Sequence, residues 1–244
     1  MITPKMIADK TMTPDKKATA HNDFFAFYIG RPLSYLFTIP FLYTKITPNQ
    51  ISLLSIVPVI AGFVIACFAR SMPMMIVCWL MFFLWNMLDG VDGNVARYRK
   101  QFSKMGSVYD ATSGYLAAAF TFFSASVMAA HTDGLLIQSG IFNSEFFLIV
   151  GGISAMANMF PRLVMHKVTT TLWNKEASKG VSDKENFNIV KVIMLNLKSC
   201  AGGAQVLFLV AILLNILDLY SVCYCIFNIM VMLVTIIQLF RKKD

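Results

Sequence analysis

The sequence predicts an all-α, polytopic integral membrane protein with six transmembrane helices plus an N-terminal interfacial helix. Three observations predict it. Of the 244 residues, 57% are hydrophobic and 14% charged, whereas a soluble domain carries about a quarter charged residues. Mean hydropathy is +0.64. The apolar residues gather in runs close to the roughly 20 residues that cross a hydrocarbon core of about 30 Å. Backbone in lipid must satisfy its own hydrogen bonds, so these runs read as helices.

Residues 1–22 are polar and lysine-containing and read as a cytoplasmic tail. They hold no apolar run of the kind found in a cleavable signal peptide. Residues 23–46 mix aromatics with Arg31, Pro32 and Pro40, a composition suited to a helix lying in the membrane interface. The six-span domain covers 47–240. It opens on "ITPNQIS", where Thr47 is an N-cap, Pro48 suits the first helical position and Gln50 completes a capping box. The spacing predicts spans over 49–69, 73–88, 107–130, 145–164, 193–217 and 219–240, the fourth extending towards Trp173. Residues 174–190 read as a solvated loop and 241–244 as a basic C-terminal tail.

Net charge is +8, which could suggest nucleic acid. Its distribution excludes that reading. With six spans, 20 of the 21 Lys and Arg residues fall on one side and only Arg70 on the other. The positive-inside rule then predicts both termini in the cytoplasm. The five cysteines lie in or beside apolar runs, with no CxxC pair and no zinc spacing. They read as small core hydrophobes.

Chemistry concentrates in residues 86–116. Asp89 and Asp92 are three apart and share a helical face at the end of the second span, and Asp110 lies near the start of the third. A short connection makes those spans antiparallel, so the three carboxylates can converge across a helix contact. Ionisable groups at membrane depth are costly and face a cavity or a partner. Three acids without a cation repel, and a hard divalent ion, Mg²⁺ or Mn²⁺, relieves this through oxygen ligation. Arg97, Arg99, Lys100 and Lys104 form an anion-attracting rim, and Gly90, Gly93 and Gly106 remove bulk where helices and a ligand meet. Metal beside a basic rim suits a diphosphate. A transporter's ion site is the competing class, but transporters hold such acids near the midplane in broken helices.

These residues resemble the signature of the CDP-alcohol phosphotransferases: D-x-x-D-G-x-x-A-R, seven or eight residues, then G-x-x-x-D-x-x-x-D. The chain has Asp89, Asp92, Gly93, Ala96 and Arg97, then eight residues, then Gly106 and Asp110, with Gly114 at the last position. The resemblance covers roughly residues 23–240. It implies a reaction in which an acceptor hydroxyl attacks the alcohol-bearing phosphorus of a CDP-linked alcohol, CMP leaves and a phosphodiester forms. By that resemblance Asp89, Asp92 and Asp110 are ligands of two divalent ions. Asn49, Gly93, Ala96, Arg97 and Gly106 bind the CDP moiety. CDP-diacylglycerol is the default donor, and the product is a phospholipid or a phosphodiester-linked headgroup. The partners it implies are a donor, an acceptor alcohol, membrane lipids and a second copy in a homodimer.

Gly114 departs from the signature, whose fourth aspartate is the general base. Three explanations stand. A base comes from elsewhere, with Asp110 and His166 as candidate side chains beside a water or a substrate phosphate; or the acceptor is already an anion; or the chain binds CDP-lipid without efficient turnover. "NMFPRLVMHK" sets Arg162, His166 and Lys167 at the cytoplasmic end of the fourth span. Arg162 and His166 share a face. These three read either as a pocket for a phosphate-bearing acceptor or as positive-inside anchors on anionic lipid.

Overall fold

The computed structural model describes residues 2–12, 24–171, 192 and 196–241. The expected loop 174–190, residues 13–22 of the expected tail, Lys191, the start of the fifth span at 193–195 and the basic end 242–244 lie outside the described residues. Among the described residues the chain is helical and without strands. The elements are α1 (Pro4–Thr11), a π turn (Ala26–Gly30), α2 (Arg31–Leu42), α3 (Pro48–Phe68), α4 (Met72–Arg99), α5 (Gly106–Ala129), α6 (Leu135–Gln138), α7 (Ser144–Thr171), α8 (Gly203–Leu213) and α9 (Leu217–Arg241). Five of them, α3, α4, α5, α7 and α9, are long and apolar enough to cross a membrane.

The capping box expected at Thr47 is formed. The Gln50 amide donates to the Thr47 hydroxyl (3.4 Å) and the Thr47 amide donates to Gln50 Oε1 (2.8 Å). On α3 the exposed face carries Leu53, Val57, Ile60, Val64 and Phe68, while Ser52 and Ser55 are buried. The stripe at spacings of three and four thus turns its apolar side outward and its hydroxyls inward. That is the arrangement lipid selects, since burying apolar side chains gains little there and small polar residues bind helix to helix. Phe82, Phe122, Phe208 and Tyr220 fill the centre of the bundle.

Three departures from expectation have physical causes. Residues 4–11 are helix rather than tail. Thr3 caps the first turn, Pro4 starts it, and Ile7 and Thr11 are buried against α2 and α4. The second span does not stop at Leu88. α4 runs on to Arg99, closed by Lys100 in the left-handed region (φ 55°) and by the Gln101 amide on the Ala96 carbonyl (2.9 Å). Asp89 and Asp92 therefore lie inside a continuous helix, about three and two turns before its end. The expected fifth span is interrupted. A turn at 200–202 precedes α8, whose eleven residues reach only about 16 Å at 1.5 Å each. Other helices bond the chain at this break. Asn86 donates to Ala201 O (2.9 Å) and to Gln205 Oε1 (2.8 Å), and Tyr220 donates to Ala204 O (3.0 Å).

Helix α2 is bound to α4 at three points. Asn94 Nδ2 donates to Ser34 Oγ and Thr38 Oγ1, each at 3.2 Å. A Cβ on Gly90 would lie 2.8 Å from Ser34 Cβ, so only glycine permits this approach. The Arg99 guanidinium donates to the carbonyls of Phe41 (2.9 Å), Leu42 (3.2 Å), Thr44 (2.6 Å) and Ile46 (2.6 Å), at the end of α2 and in the connection that follows it. Arg70 serves α3 similarly, donating to Cys67 O (3.3 Å) and Ala69 O (3.2 Å) and meeting His131 Nδ1. Gly90→Val is expected to push α2 off α4 and lower stability by about 1–3 kcal/mol, the usual cost of overpacking. The thermal midpoint of the detergent-solubilised protein reads this, and an unchanged midpoint would refute the close contact.

Candidate active site

The three motif aspartates share one cavity of about 510 Å³. Asp89 and Asp92 reach it from adjacent turns of α4, and Asp110 from the first turn of α5 after the 100–105 connection reverses the chain. Asp92 is buried, 7% exposed, and accepts a short hydrogen bond from the Ser52 hydroxyl of α3. Asp89, Asp92 and Asp110 lie within electrostatic range of one another. Like charges at that range repel unless a cation joins them. Among the described residues no three His, Cys, Asp or Glu side chains are gathered tightly enough to hold a metal ion. The donor set still fits a hard divalent ion. Its donors are all carboxylate oxygens, they line one cavity, and Asp110 is exposed at its rim.

The residues expected to bind CDP line the same cavity: Asn49, Gly93, Ala96, Arg97 and Gly106. Asn49 Nδ2 donates to Ser103 Oγ (3.0 Å), which also accepts from the Gly106 amide (2.9 Å). Any Cβ at Gly106 would press Asn49 Oδ1 at 3.2 Å. The starts of α3 and α5 are thereby fastened together at the mouth. Arg97 Nη2 donates to Asn94 Oδ1 (3.2 Å), and its Nε is buried without a hydrogen-bond partner. A buried guanidinium N–H in that state is suited to an incoming anion.

The expected basic rim is corrected. Of Arg97, Arg99, Lys100 and Lys104, only Arg97 lines the cavity. Arg99 is spent on the end of α2 and the connection that follows it, because carbonyls there take its donors. Asn94 likewise serves α2 as well as the cavity wall.

Gly114 lies one turn after Asp110 on α5, and nothing stands within 4 Å of a Cβ built there. Arg162, His166 and Lys167 on α7 do not line the cavity. Arg162 lies within electrostatic range of Asp89, Tyr115 and Lys198. Its Nη2 meets Cys200 Sγ at 3.8 Å and its Nε is buried without a hydrogen-bond partner. His166 Nδ1 is bonded to the Tyr115 hydroxyl (2.7 Å). Lys167 is exposed. Burial first, and then the Arg162 guanidinium, push the Lys198 ammonium below the usual lysine range. Arg162 and Lys198 thus bring two cations within electrostatic range of each other.

Sequence reasoning missed Ser52, Ser103 and Tyr115, and read Lys198 only as a positive-inside anchor. Ser103 had a local signal, since a serine three residues before a helical glycine can cap the helix. Ser52 had a weaker one, one turn after Asn49 on a capped helix. Tyr115 and Lys198 had none, because their partners are more than thirty residues away in sequence.

Residues 45–240 match the family model described as CDP-alcohol phosphatidyltransferase. No curated protein matches the chain.

Proposed function

The chain belongs to the CDP-alcohol phosphatidyltransferase family, and from that premise we propose that it transfers phosphatidyl from CDP-diacylglycerol to an acceptor alcohol with release of CMP. The observation carrying this reading is that Asp89, Asp92, Asp110, Arg97, Asn49 and Gly106, brought from three helices, all line one cavity. The family is a transferase family that generally acts on CDP-alcohols and acceptor alcohols and generally uses divalent ions. The distribution of basic residues supports termini and cavity on the cytoplasmic side, with α2 in the interface.

In this reading Asp89, Asp92 and Asp110 hold Mg²⁺ or Mn²⁺. When bound, the ions neutralise diphosphate charge and orient the attacking and leaving oxygens. Arg97 donates to a phosphate through its unpartnered Nε–H. Asn49 and Gly106 shape the nucleotide end, where the missing Cβ leaves room. The acceptor oxygen forms a bond to the lipid-bearing phosphorus, the bond from that phosphorus to CMP breaks, and the acceptor's proton passes to a side chain. Gly114 offers none. Of the two side-chain candidates, Asp110 lines the cavity and His166 does not, so Asp110 takes the proton. Arg162 and Lys198 hold an anionic part of the acceptor, with His166 and Lys167 beside them.

The test is CMP release by the purified protein with Mn²⁺ or Mg²⁺ and CDP-diacylglycerol, across a panel of acceptors with and without a phosphate. Metal-dependent CMP release with one acceptor class supports the reading. CDP binding without release under every acceptor favours a protein that holds CDP-lipid without turnover. That second reading has its own support in the open space at Gly114.

A further inference from the structure

We propose that Arg31 binds a phosphate of the donor from the α1–α2 wall of the cavity, so that two guanidiniums, Arg31 and Arg97, share the diphosphate. The inference rests on reading the cavity as a CDP-alcohol site. Thr11, Met12, Arg31, Ser34 and Tyr35 form one side of that cavity. All five precede residue 45, where the family match begins. The family's motif therefore accounts for the α3, α4 and α5 walls and leaves the α1–α2 wall unassigned.

Arg31 and Arg97 line the same cavity and lie within electrostatic range of each other. Two cations facing one space repel. Arg97 has carboxylates nearby, Asp92 and Asp110, yet its Nε remains buried and without a hydrogen-bond partner. Arg31 Nη1 meets Met12 Sδ at 3.2 Å, and a thioether is a weak acceptor. An anion between the two guanidiniums would answer the repulsion and the orphaned N–H together. A diphosphate suits it, because phosphate oxygens accept the guanidinium fork in pairs.

Local structure supports the placement. The Arg31 amide donates to Ala26 O, five residues back, closing the π turn Ala26–Gly30. A π turn inserts an extra residue into the helical repeat and redirects the side chains that follow. Ser34 and Thr38, on the next turns of α2, are pinned by Asn94 of the motif helix, so Arg31 is carried by an element docked on α4. Helix α1 closes the same side, with Ile7 fully buried and the Lys10 ammonium 4.3 Å above the Tyr98 ring.

The experiment is equilibrium binding of CDP to the purified full-length chain in lipid nanodiscs with Mn²⁺, with inorganic pyrophosphate as competitor. Wild type is compared with Arg31→Ala and Arg31→Lys. Arg31→Ala is expected to weaken CDP and pyrophosphate by about tenfold or more, the value of a lost charge-assisted hydrogen bond. Arg31→Lys recovers part of the loss, since it keeps the charge but not the fork. Equal CDP affinity in wild type and Arg31→Ala would overturn the role of Arg31 and leave the cavity reading standing. No CDP binding by wild type would remove the cavity reading and this proposal with it. Where Arg31→Ala fails to fold, Arg31→Gln takes its place with the same two outcomes.

Discussion

Asp92→Asn is expected to lower CMP release by at least about 10²–10³-fold, the scale seen when one preorganised electrostatic group is removed from a reacting site. The argument begins with packing. Asp92 is buried at 7% exposure and bonded to the Ser52 hydroxyl. Asparagine has the same shape and can still accept that bond, so the helix contact between α3 and α4 survives. What is lost is one negative charge from a group of three lying within range of each other. Removing it relieves repulsion in the metal-free protein, so its thermal midpoint should hold or rise. The Mn²⁺-induced rise in midpoint should disappear, because stabilisation by a ligand follows its affinity. Measuring midpoint with and without Mn²⁺ beside CMP release separates a lost charge from a lost fold. A variant that keeps full release would remove Asp92 from the reaction.

Gly114→Asp is the second large effect and runs the other way. Position 114 is four residues after Asp110, so its side chain projects from the same face. No atom lies within 4 Å of a Cβ there, and the new carboxylate would enter open space. Replacing glycine inside a helix also favours the helix. In the proposed reaction Asp110 serves both charge and proton, and a separate carboxylate frees it of the second duty. CMP release is expected to rise by at least about tenfold, towards the 10²–10⁴ that a positioned base contributes. Single-turnover rates at saturating donor are the measurement. An unchanged rate would mean that the acceptor's proton is not limiting, and would point to an acceptor already anionic.

Local signals were legible in the sequence, and long-range ones were not. The capping box at Thr47 and the motif aspartates were readable because each depends on residues a few positions apart. The reach of α4 past Asp92 to Arg99 was not. Gly90 and Gly93 argue against helix when read alone, and the packing of α2 against α4 overrides them. The break before α8 was hidden for the same reason. The chain there is bonded by Asn86, 115 residues from Ala201, and by Tyr220. In the site, Asp89, Asp92, Asp110 and Arg97 could be grouped from their spacing, and all four line one cavity. Arg99 was misread because a charge next to a motif gives no hint that α2 ends beside it. Arg31 was read as part of an interfacial helix, since nothing in its neighbours announces a wall shared with α4.

The Arg99 contacts carry a consequence for biosynthesis. The carbonyls of Thr44 and Ile46 leave the ribosome 55 and 53 residues ahead of the guanidinium that donates to them. At about 5–20 residues per second the interval is on the order of several seconds. Throughout it these carbonyls lack their Arg99 partner. The expected order is that α2 docks on α4 only once Arg99 has been made, so that the α1–α2 wall of the cavity closes after Asp89 and Asp92 have been synthesised.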